Sequence, residues 1–141
     1  MKIEYHHIEI SRPGFARNRL SEVLDKTIKD RNKVTGEISV VFCSDEYLLE
    51  MNKEHLGHDF FTDIITFDYC EDDIISGDLF ISIDRVKENA RSFGKKMENE
   101  IVRVVGHGVL HLLGENDKTN EEQREMTRFE DILVLAWSQS K

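Results

Sequence analysis

The stretch HGVLHLLGEND, residues 107–117, constrains this chain more than any other part of it. His107 and His111 stand at i and i+4, so on a helix both rings project from one face, a turn apart. Gly114 stands where a helix C-terminus needs a left-handed residue. The chain can leave the helix sharply there, and Asp117 then comes back toward the two rings. Any fold this chain adopts must bring one helix end and the loop beyond it to a single point.

The remaining sequence supplies elements to pack around that helix. Hydrophobic residues make up 39% of the 141 and charged residues 33%, a globular mixture that suits one domain, residues 1–141, with one core. Residues 2–10 alternate through Ile3 and Tyr5 and then shift phase to Ile8 and Ile10, which predicts a strand with a bulge. Phe15, Leu20, Val23, Leu24 and Ile28 predict a helix over 15–31. The β-branched run 36–43 predicts a buried strand, and Ser44 an N-cap for a helix to about His55. Residues 55–61 read as a loop, 62–69 as a strand, 71–77 as a turn and 77–83 as a further strand. Helices are expected at 84–96 and 98–113. Thr119 and Glu122 form a capping box for a last helix over 120–137, with a stripe of Met126, Phe129, Ile132, Leu133 and Ala136. The order β α β α β β α α α predicts an α+β fold, a small mixed four-stranded sheet covered by helices.

No apolar stretch is long enough for a transmembrane helix, and MKIEYHHIEI mixes charge and histidine in a way signal peptides do not. The expectation is a cytoplasmic protein with no membrane partner, in which Cys43 and Cys70 remain two free thiols. The net charge of −9 repels phosphate, so action on RNA would need a local basic patch or a metal ion.

Among six histidines a chance H-x-x-x-H pair is common, so the pair alone is a weak signal. The full spacing H-x-x-x-H-x-x-G-x-x-D says more, because it copies an extended zinc signature with aspartate in last place. It predicts a zincin-like helix with metal ligands His107, His111 and Asp117, through which any catalysis would run. Three protein ligands leave a fourth position for water, the catalytic rather than the structural pattern. Zinc is the first expectation. The aspartate lowers the site's net charge to about +1 from about +2 and makes manganese or magnesium more acceptable. Gly108 occupies the place of the peptidase glutamate, which argues against peptide hydrolysis; the expectation is that it opens space beside the metal for a bulky substrate group. No general base is evident.

These residues reach a family. HGVLHLLGEND resembles the H-G-x-L-H-L-x-G-Y-D-H motif of the YbeY family of bacterial endoribonucleases and rRNA maturation factors. TDIITF (62–67) is similar to its T-D-V-L-S-F, GDLFIS (77–82) to its G-D-I-x-I-S, Asn52 to an asparagine before the loop, and Glu125-Met126 to the E-M of the last helix. The resemblance runs from about Ser39 to Leu133 in the family's order. It implies a metal-dependent single-strand endoribonuclease acting in rRNA processing, chiefly at the small-subunit rRNA 3′ end, and in ribosome quality control. rRNA or the ribosomal small subunit would then be its partner. His107 and His111 match two histidine ligands of the family and Asp117 stands at the third; Glu115 and Asn116 replace a tyrosine and an aspartate. Leu56 stands where many members carry an arginine thought to hold phosphate, so a substrate-binding cation would have to come from elsewhere. Two rivals remain at this point: a non-catalytic ribosome-associated factor with a structural metal, and a metal-dependent hydrolase of another substrate.

Other residues read more blandly. His55 and His58 frame a loop as H-x-x-H and are expected to be exposed; one of His6 and His7 is expected to face solvent. Thr62 and Asp63 fit either a turn or a substrate site, and EDD (71–73) a solvated turn. Arg17, Arg19, Lys26, Lys29, Arg31 and Lys33, with Lys95 and Lys96, form a solvated face or else a phosphate-tracking surface. Aromatics are not interleaved with these charges, so base stacking on them is unsupported.

Overall fold

The central strand explains the architecture. In a computed structural model describing residues 2–140, Val34–Cys43 forms β2, with Ile38, Val40 and Phe42 buried on one face and Val41 and Cys43 on the other. A strand apolar on both faces must be covered on both. β1 (Lys2–His7) lies parallel to it on one side and β4 (Ile74–Ser82) parallel on the other; β3 (Ile64–Asp68) runs antiparallel to β4 at the far edge. The sheet order is β1-β2-β4-β3, the mixed four-stranded sheet that the element order predicts. Parallel neighbours need crossovers, which α1 (Arg17–Asp30) and α2 (Asp45–Leu56) lie within. α3 (Ile83–Ser92), α4 (Met97–Leu112) and α5 (Asn120–Gln139) complete an α+β chain.

Ile38, Val40, Phe42, Leu79 and Ile81 join Leu24, Val105 and Val109 in the main core between the sheet and helices α1 and α4. On the other face Cys43 and Ile65 pack with Leu48 of α2 in a smaller cluster. α5 closes α4 from outside, and its Trp137 is 1% exposed with the Arg19 guanidinium 3.7 Å above its ring.

Several boundaries differ from the sequence reading. β1 ends at His7 without a bulge, because Glu9 turns into a left-handed conformation at φ 57°. The register irregularity lies in β2, between Thr35 and Ile38. Strand structure resumes at Ile74 instead of Gly77, since a bridge between Glu71 and Ile74 makes the turn tighter than expected. α3 stops at Ser92, before Gly94 at φ 61°. The Ser44 cap and the Thr119–Glu122 capping box are both present. The stripe of α5 is Met126, Glu130, Leu133 and Trp137; Ile132 is 54% exposed.

Candidate metal centre

α4 is long and apolar enough to be held firmly, and it carries the centre at its C-terminal end. Two glycines let it approach its neighbours. A Cβ on Gly108 would stand 2.8 Å from Ile64 Cδ1 and 2.9 Å from Leu79 Cδ2, and one on Gly106 would stand 2.7 Å from Leu133 Cδ1. Gly108 thus faces the sheet and does not open space beside the metal, which corrects the expectation above. A glutamate there would meet the core, so the peptidase arrangement is closed to this backbone.

The helix then stops in a Schellman arrangement: Gly114, at φ 98°, donates its N–H to His111 O, and Glu115 N–H donates to Leu110 O. The turn serves the site directly, because His111 Nδ1 donates to the Glu115 carbonyl at 2.9 Å. His107 Nδ1 donates to Glu130 Oε2 at 2.6 Å. Each ring's proton is therefore committed on the Nδ1 side, and both Nε2 atoms present lone pairs. Those atoms lie 2.9 Å apart, and Asp117 Oδ2 is 3.3 Å from each. Two lone pairs at that separation repel unless a proton or a cation sits between them. Ligands bonded at about 2.0–2.2 Å to one tetrahedral ion stand about 3.3–3.6 Å apart. His107, His111 and Asp117 therefore fit a divalent ion in donor chemistry and in spacing, and all three are only partly exposed.

Glu130 escaped the sequence reading. It is 9% exposed, and its second oxygen accepts from Arg103 Nη1 at 3.1 Å. Its signal was a carboxylate on the buried stripe of α5. Burial opposes a charge on His107, but the bonded Glu130 carboxylate, aided by Asp63 and Asp117, outweighs it and raises the ring's pKa above the ordinary value.

The groove in front of the three donors is lined by Asn52, His58, Phe60, Thr62 and Asp63 among others, and, among the described residues, by no lysine or arginine. Thr62 and Asp63, undecided from sequence, are thus on its wall. Burial raises the Asp63 carboxyl above its usual range despite nearby His107. Leu56 is on the wall too, where no cation replaces it. His58 is exposed and stacked on Phe60, while His55 lies edge-on to Phe67 and away from the donors. His6 and His7 are both exposed, on an edge strand. The cations of α1 and its C-terminal turn do not form a free surface: Lys26, Lys29, Arg31 and Lys33 pair with Asp30, Asp25, Glu115 and Asp73. Arg17 and Arg19 donate to backbone carbonyls. Cys43 and Cys70 are free thiols, and burial pushes Cys43 up to about 12, which leaves it unreactive. Among the described residues no helix is long and apolar enough to cross a membrane.

Fold and site together define a class: a small α+β protein in which two histidines and a carboxylate, a group that could hold a metal ion, meet at the end of a core helix. The chain belongs to the endoribonuclease YbeY family, whose family model matches residues 3–138. It is 43% identical over 131 residues to the endoribonuclease YbeY of Bacteroides thetaiotaomicron, covering 93% of this chain and 96% of that one. It is 42% identical over 134 residues to that of Porphyromonas gingivalis, covering 95% of this chain and 89% of the relative. The solution structure of TM1509 from Thermotoga maritima superposes with a TM-score of 0.67 at 27% identity, covering 96% of this chain and 88% of that one.

Proposed function

We propose that this chain cleaves single-stranded RNA with a divalent ion, zinc in first place, held by His107, His111 and Asp117. The setting would be cytoplasmic rRNA processing, chiefly at the small-subunit 3′ end, and ribosome quality control. Membership of the family gives the reaction class, an enzyme that hydrolyses phosphodiester bonds within RNA. The observation that carries the metal dependence is the convergence of two Nε2 atoms and one carboxylate oxygen within 3.3 Å of one another.

A bound divalent ion supplies Lewis acidity toward a water and a phosphate oxygen. The chain supplies the rest. Glu130 and the Glu115 carbonyl fix both imidazoles in one tautomer and one orientation. Asp63 stands on the groove wall, where burial raises its carboxyl above the usual range, and it faces the space in front of the three donors. Thr62 lines the same wall and its hydroxyl bonds to the Ile64 carbonyl at 3.3 Å.

Elemental mass spectrometry of wild type and Asp117→Ala, with cleavage of a single-stranded RNA by wild type and His111→Ala, tests the reading. The expected result is about one divalent ion per wild-type chain, loss of it in Asp117→Ala, and no cleavage by a folded His111→Ala. Cleavage that persists in His111→Ala would overturn a catalytic metal. A His111→Ala variant that loses folding and ribosome association together would point instead to a structural metal.

A further inference from the structure

The groove presents a binding problem. RNA must enter it, yet among the described residues no lysine or arginine lines it. On flanking elements Lys53 pairs with Glu50 and Asp59, Arg85 with Asp45, and Arg103 with Glu130 and Asp131, while Lys118, next to Asp117, is exposed and does not line the groove. The chain's charge of −9 adds repulsion. Lysine and arginine on the described wall therefore do not supply the affinity, and other groups on it must contribute.

The wall offers aromatic surface instead. Phe60 is 55% exposed and Phe61 51%, on the loop between α2 and β3. Phe61 lies against the Arg85 guanidinium, 5.5 Å from its ring, whereas Phe60 lines the groove beside the three donors, which sets it apart from an ordinary exposed apolar residue. This loop is fastened: Asn52, 1% exposed, donates from Nδ2 to the Phe60 carbonyl at 2.8 Å and accepts from His58 N–H at 3.1 Å. The His58 ring already stacks on Phe60, with centroids 5.0 Å apart and planes 19° from parallel. Phe60 and His58 both line the same groove as the three donor atoms.

We propose that the stacked His58–Phe60 pair is a base-stacking platform that receives one unpaired base next to the scissile phosphate. Every base has a π-face, so such a platform tolerates sequence while rejecting bases already stacked in a duplex. It thus sets the enzyme's preference for unpaired RNA, by stacking where other RNA binders use charge. The inference rests on the RNA-cleavage reading and names the residues that hold its substrate. Phe60 acts here as a positioning residue for the nucleotide, with Asn52 holding it in place.

A short single-stranded RNA and a set of its single-abasic derivatives test this, with the metal-loaded protein as wild type, Phe60→Ala and Phe60→Trp. Two readouts are taken, oligonucleotide binding by fluorescence anisotropy and cleavage kinetics. Phe60→Ala should weaken binding and raise KM at least about five-fold with kcat little changed, and Phe60→Trp should restore both. One abasic position beside the cleaved bond should cost wild type a similar factor and cost Phe60→Ala nothing further. Equal binding by wild type and Phe60→Ala, or additive losses at every abasic position, would overturn the platform even if cleavage is normal. Phe60-dependent binding without any cleavage would keep the platform and remove the nuclease reading instead.

Discussion

Glu130 orients one of the two imidazoles from a different helix. It holds the His107 proton on Nδ1, and Arg103 holds Glu130. Glu130→Gln keeps the shape but removes the charge that favours ring donation. Metal affinity should fall about 10- to 100-fold, measured by competition with a chelator, with a small change in melting temperature. A second residue-scale effect concerns pH. Burial raises the Asp25 carboxyl, but Lys29 at 2.8 Å and Thr35 Oγ1 at 2.6 Å outweigh it, so its folded pKa lies below the ordinary value. The resulting stability is therefore fully present above the unfolded pKa of about 3.9 and lost as pH falls through the lower folded value. Asp25→Asn should cost about 1 kcal/mol in urea unfolding at pH 7. That difference should shrink as the pH drops below about 4; one that grows in acid would contradict the assignment.

At the scale of elements, the question is how α4 brings its end so close to the sheet. Gly108 answers it, with Ile64 and Leu79 occupying the space a side chain would need. Alanine there gains about 1 kcal/mol of helix propensity and costs about 1–3 kcal/mol in overpacking, so Gly108→Ala should lose about 1 kcal/mol net by urea denaturation. It should also weaken metal binding, because α4 carries both rings. The α2–β3 loop depends likewise on Asn52; Asn52→Ala leaves the Phe60 carbonyl without its donor and should speed proteolysis within residues 57–63 without lowering global stability by more than about 1–3 kcal/mol. The elements themselves were legible: helix and strand periodicity, the Ser44 and Thr119 caps and Gly114 marked them to within a few residues. His107, His111 and Asp117 were legible because their spacing is local along the chain. Glu130 and Phe60 were not, because their positions come from contacts between elements: Glu130 reaches back from α5 to α4, and Phe60 sits in the 55–61 loop, whose place on the groove wall depends on packing. The Gly108 role was misread for the same reason, since the face it presents depends on how α4 packs.

At the scale of the whole molecule, charge and topology act together. The strand order places β3 at an edge, so the groove opens between that edge and the end of α4 instead of being walled by further strands. The cations that looked like a phosphate track on and after α1 are taken up by neighbouring carboxylates and carbonyls. Two opposing salt effects follow for RNA binding. Each phosphate contacted by a cation on the protein contributes about −0.7 to the slope of log K against log salt for a single strand. Added salt also screens the repulsion from a net charge of −9, which flattens the slope. With no lysine or arginine among the described residues lining the groove, the slope between 50 and 200 mM salt should be shallower than about −2, measured by anisotropy with a short RNA. A slope steeper than about −4 would require several phosphate-bound cations, and would move the RNA path away from this groove to the Lys95–Lys96 end of the molecule.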